Sequence, residues 1–192
     1  MVVAVPVLPV LLAGCGGKAA PSANGHPTTT HPASAGPSLS GLGATTAEWD
    51  AHHGRATTGS PGGPSYGPQI PFGRGKVEQF TAVKVDNGRI TGWHMAFRDG
   101  TAIASSEQQV YAQLPADARQ TASRRSTFTG STDTCEIVTF ESATLTKVLG
   151  AGNGTVGVTL FQVGLTGKGS PSIQVVDRAI VTVPAPPLTA RC

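Results

Sequence analysis

The chain has 192 residues, of which 13% are charged and 5% aromatic, with a formal net charge of +3. Behind a low-complexity front end there is room for one domain of roughly 150 residues, enough to bury a core. Basic residues are scattered singly apart from Arg124-Arg125, which excludes the concentrated positive face of a nucleic-acid binder.

Residues 1–14, MVVAVPVLPVLLAG, form an apolar run too short for a membrane-spanning helix, which needs about 20 residues. The run has the character of the apolar core of an export signal. Its end, Leu12-Ala13-Gly14-Cys15, resembles the lipobox of bacterial lipoproteins, in which small residues precede a cysteine that is lipidated and becomes the mature N-terminus. The resemblance implies a lipid on Cys15 that holds the protein to the extracytoplasmic face of a cell membrane. One departure is the lack of Lys or Arg before the run, and a start codon upstream of Met1 would account for it.

Residues 15–42 then read as a linker rich in Ser, Thr, Pro and Gly. Such a composition buries too little apolar surface to fold and acts as a spacer. His26 and His31 lie in it, too isolated to hold a metal. The folded domain is expected over residues 43–192.

Thr45 to Gly54 reads as a short helix, with Thr45 or Thr46 as N-cap, Glu48 and Asp50 early, His52 and His53 late, Gly54 as C-cap and Trp49 as anchor. Gly59 to Arg74 carries abundant Gly and Pro around Tyr66, Ile70 and Phe72 and reads as a long ordered loop. Asn87-Gly88 is a strong hairpin signal between the strand-like runs of Val77 to Arg98. A two-residue turn there pairs Asp86 with Arg89, Val85 with Ile90, Val83 with Gly92, Ala82 with Trp93, Phe80 with Met95 and Glu78 with Phe97. Alternation then gathers Phe80, Ala82, Trp93, Met95 and Phe97 on one face and Val83, Val85, Ile90, Gly92 and His94 on the other. The first face is expected to be core.

Ser105 with Gln108 has the spacing of a capping box and is expected to open a helix bearing Val110, Tyr111 and Leu114, ended by Pro115. Strands follow over residues 125–130 and 135–140. Ser142 caps a helix with Leu145, Val148 and Leu149, and a last strand pair covers residues 155–165 and 172–183. These elements predict an α+β domain: a single antiparallel sheet of about six strands with two or three short helices packed on one face. The element order is similar to that of β-lactamase-inhibitor-protein and outer-membrane-assembly lipoprotein folds.

With Cys15 assigned to lipid, Cys135 and Cys192 remain as an even pair in an exported domain and are expected to form a disulfide. Gly63-Pro64-Ser65-Tyr66-Gly67 matches the G-x-S-x-G string of serine hydrolases, but it lacks the strand before and helix after that a nucleophile elbow requires. Glu48 and His52 share a helix face without further ligands, so no metal and no cofactor is expected. The best functional reading is a non-catalytic envelope lipoprotein. It would be anchored to the membrane through Cys15 and bind a protein or small ligand at Tyr66, Ile70, Phe72 and His94. The alternatives are an envelope hydrolase using Ser65 and His94, or a small inhibitor or assembly factor. The Gly, Ala and Pro richness is similar to that of high-GC actinobacterial secreted proteins.

Overall fold

The computed structural model describes residues 39–57, 63–72, 75–128, 131–165 and 173–189; Cys15, Cys192, the apolar N-terminal run and most of the linker lie outside them. Helix α1 (Thr46–His53) starts as expected, with Thr45 as N-cap in a capping box with Glu48 and Gly54 as C-cap. The Glu48 carboxylate accepts from the Thr45 backbone N–H at 2.7 Å, a bond that helps hold its pKa below the ordinary value.

Three strands follow: β1 (Tyr66–Phe72), β2 (Gly75–Asp86) and β3 (Arg89–Ala102). The first corrects the expectation of a loop over residues 59–74. Pro68 and Pro71 argue against a central strand, but an edge strand tolerates them because its outer N–H groups need no partner. Strand β1 is that edge, pairing only with β2. At the turn from β2 to β3, Asn87 and Gly88 have φ of 49 and 73, the left-handed pair that a type I′ turn needs.

The hairpin pairs Asp86 with Arg89, Val85 with Ile90 and Phe80 with Met95, as the turn dictates. Between these pairs, two irregularities compensate each other. Lys84 faces Gly92 where Val83 was expected, and Ala82 has a φ of 50. A bulge of this kind swings neighbouring side chains, and Val83 turns inward, with its N–H bonded to the Pro64 carbonyl. Ile90, expected on the far face from the aromatic cluster, is also fully buried. The segment Leu42–Ala44 covers it through bonds from Gly43 N–H to the Ile90 carbonyl and from Ile90 N–H to the Ala44 carbonyl, both 2.8 Å. Leu42, placed at the end of the linker from sequence, therefore belongs to the core.

Helix α2 (Ile103–Tyr111) begins two residues before the expected Ser105 cap. Its N-cap is Ala102, with no side-chain cap bond. The Ser106 hydroxyl instead donates back to the Thr101 and Ala102 carbonyls. Strands β4 (Arg119–Thr127) and β5 (Thr134–Glu141), helix α3 (Ala143–Leu149), and strands β6 (Thr155–Leu165) and β7 (Ile173–Thr182) complete the domain. Ser142 caps α3 as expected.

The seven strands form a single sheet in the order β1-β2-β3-β7-β6-β5-β4, every neighbouring pair antiparallel. Residues directly opposite share a face, so the pairings trace two surfaces. One carries the row Phe80, Met95, Ala179, Leu160 and the row Trp93, Val181, Val158, Val138. Trp49 of α1 packs on this face against Phe80 and Trp93, with ring centroids 5.3 and 5.4 Å away. Tyr111 of α2 meets Phe140 edge-on at 5.0 Å. Leu145 of α3 joins the same buried cluster. The aromatic face of the hairpin is thus core, as its register implied.

Candidate functional site

The opposite face of the sheet carries the row Thr81, His94, Ile180, Thr159, Ile137, Arg124 and the row Ala96, Arg178, Phe161, Cys135, Ser126. Part of it is covered by the C-terminal tail. Val183 N–H donates to the Thr91 carbonyl, Ala185 N–H to the Thr155 carbonyl, and the Arg124 guanidinium to the Leu188 carbonyl at 2.7 Å. Gly157 lets the tail lie flat, since a Cβ there would sit 2.3 Å from the Pro186 ring. The tail thus runs from the end of β7 across β6 to β4. Cys135, fully buried on this face, is disulfide-bonded.

The part that no described residue covers centres on Arg178, whose guanidinium lies 4.3 Å from the Phe161 ring centroid. Phe128 stacks behind that ring at 6.3 Å. His94 stands nearby with one side open to solvent, and desolvation of the rest of its ring by the sheet, together with the Arg178 charge, keeps its pKa below the ordinary imidazole value. Asp177 stands where the strand register slips, half buried, with its carboxyl pushed up chiefly by burial and against the pull of Arg178. Sequence reasoning missed Arg178, Phe161 and Asp177, because only the cross-strand register brings Arg178 near His94 and sets Phe161 opposite Arg178.

The residues expected to form one binding surface are dispersed. Tyr66 is 2% exposed and packs edge-on against Trp49 at 5.7 Å, so it belongs to the core and not to a surface. Burial, with the Asp50 carboxylate beside it, pushes its hydroxyl up to about 12. Ile70 is half buried on the edge strand, and the Phe72 side chain lies outside the described residues. His94 stands exposed on the open face, two strands from Ile70. Ser65 is 1% exposed, and its Oγ has no partner among the described residues. It adjoins β1 while His94 is on β3, with β2 between them, so the two are about 10 Å apart by strand spacing. His53 is drawn onto Trp49 and Phe80, with ring centroids at 4.1 and 4.7 Å, while the Glu48 carboxylate, on the helix face read as shared with His52, accepts from the Thr45 N–H and hydroxyl.

Among the described residues, a cleft of about 650 Å³ lies between the Leu39–Leu42 segment, the end of α2 and Phe140. Its volume falls within the usual range for small-ligand sites. Tyr111 and Asp117 line it. Burial raises the Tyr111 hydroxyl well above the ordinary phenol value, helped by the Glu107 and Glu136 charges. Asp117 caps α3, accepting from the Ser142 hydroxyl at 2.7 Å and the Thr144 N–H at 2.9 Å. Compared with family models, curated proteins and solved structures, the chain gave no match.

Proposed function

We propose that this chain is an exported, lipid-anchored binding domain of a bacterial cell envelope, held at the membrane through Cys15 and acting without catalysis. The observation that carries the reading is the disulfide at Cys135. Structural disulfides persist in oxidising compartments, and export is what the apolar run ending in Leu12-Ala13-Gly14-Cys15 would provide. The partner of Cys135 in this reading is Cys192. The tail reaches Arg124, which faces Ile137, two residues along β5 from Cys135. The four residues after Leu188 extend up to about 13 Å, enough to close the bond.

Binding is supported by the cleft beside Tyr111 and Asp117, and by an open sheet face carrying His94, Arg178 and Phe161. Two acyl chains suffice for stable anchoring, where one alone is marginal. Replacing Cys15 with Ala should move the protein from the membrane pellet to the soluble fraction in a host that processes lipoproteins. Unchanged fractionation after a carbonate wash would refute the anchor. Protein cross-linking on intact membranes, compared between wild type and Cys15→Ala, tests whether the anchored form engages a partner.

A further inference from the structure

The sheet has two edges, and they are built differently. At β1 the strand contains Pro68 and Pro71, which have no N–H to offer, and its entry at Ser65 is bridged by Thr57. At β4 the strand runs nine residues, RQTASRRST, without proline, and most of its length is exposed. Among the described residues, no element other than β5 pairs with it, and the remaining backbone bonds in its vicinity lie only at its ends, from Ala118 and Phe128. An edge of this length presents alternate N–H and C=O groups ready to accept another strand.

Its charge is one-sided. Arg119, Arg124 and Arg125 stand in β4 with no acidic residue, and on β5 Glu141 and Glu136 face the first and last of them while Ile137 faces Arg124. Arg124 and Arg125 leave on opposite faces of the sheet: Arg124 reaches the tail at Leu188, and Arg125 pairs with Glu136 at 2.9 Å. One nitrogen of each makes the bond described, which leaves further guanidinium donors for a carboxylate. Like charges across a strand pair are destabilising and opposite charges stabilising. The same arginines therefore oppose pairing of β4 with a second copy of itself and favour a strand bearing carboxylates on both faces.

We propose that β4 is the docking edge of this domain and adds an extended, acidic segment of a partner protein as an eighth strand. This deepens the binding reading above and rests on it. The test uses a capped nine-residue peptide of glutamate alternating with valine and threonine, and its lysine counterpart, titrated into the folded disulfide-intact domain. Amide hydrogen exchange is followed residue by residue. The glutamate peptide should slow exchange along β4 but not along β1, and should bind on the order of tenfold more tightly than the lysine peptide. Arg119→Glu/Arg124→Glu/Arg125→Glu should reverse that order, and Arg119→Gln alone, which sets no like charge opposite Glu141 on β5, should weaken glutamate-peptide binding while far-UV circular dichroism stays that of the folded domain.

Equal binding of the two peptides, protection at β1, or no binding overturns the proposal. So does a concentration-dependent dimer with β4 protected in the absence of peptide, which would assign the edge to a second copy. The membrane cross-linking above separates the two levels. Partners captured equally by wild type and the triple variant refute the β4 edge and leave the binding reading standing. No partner captured by the anchored wild type refutes the binding reading itself.

Discussion

Trp93 offers the sharpest test of how the core is built. It is 1% exposed and stands between Trp49 and Phe80, with ring centroids at 5.4 and 6.3 Å. Truncating a buried Trp to Ala typically costs about 3 to 5 kcal/mol, and lost aromatic contacts lie near the upper end of that cost. One feature pulls the other way: the Trp93 indole Nε1 is buried without a partner, and a buried unsatisfied donor costs about 1 to 3 kcal/mol. Trp93→Phe removes that donor while keeping a ring, so the two variants should separate. Trp93→Ala should lose about 4 kcal/mol and Trp93→Phe less than about 1.5 kcal/mol. Urea unfolding at 25 °C, followed by far-UV circular dichroism with the disulfide intact, reads this directly. For a urea slope of about 2 kcal/mol per molar, the Ala variant should unfold about 2 M earlier. A shift under about 0.5 M for Trp93→Ala would falsify the assignment of this face as core.

Gly157→Ala places a Cβ against Pro186 and should displace the tail from the sheet, costing about 1 to 3 kcal/mol and exposing the backbone around Thr155 to faster amide exchange. The Asp117 carboxyl is pushed up by burial, but the bonds from Ser142 and Thr144 outweigh this and hold it below its ordinary 3.8. Because the folded value is the lower one, the stabilisation is present at neutral pH and lost as the pH falls through it. Asp117→Asn should therefore cost stability at pH 7 and nothing further in strong acid, as thermal unfolding across pH would show. Reducing or replacing Cys135 should cost up to about 4 kcal/mol from restored loop entropy. Peptide mapping without reductant should recover Cys135 linked to Cys192, and a link to any other cysteine would refute the pairing.

Local signals settled the local structure. Thr45 with Glu48, Ser142 and Gly150, and Asn87-Gly88 each satisfy or bend the backbone through groups within a few residues, so the ends of α1, the caps of α3 and the hairpin turn were legible in the chain itself. The antiparallel α+β class followed from the order of such units. Long-range packing decided the rest. Strand β1 forms despite Pro68 and Pro71 because β2 supplies bonds on one side only, which no local rule anticipates. Val83 and Ile90 are core because compensating irregularities turn the hairpin and because Leu42–Ala44 returns to cover it. Tyr66 is interior because Trp49 of α1 packs on its ring, which separates it from His94 and disperses the anticipated surface. Arg178 and Phe161, seventeen positions apart, meet only through the register of β7 and β6, and the register of β3 on β7 brings His94 near Arg178. The exposure of the β4 arginines on an edge depends on the strand order, which periodicity along a chain does not encode. The string Leu12 to Cys15 is the opposite case: it lies outside the described residues, and the lipobox reading proposed for it rests on the sequence alone.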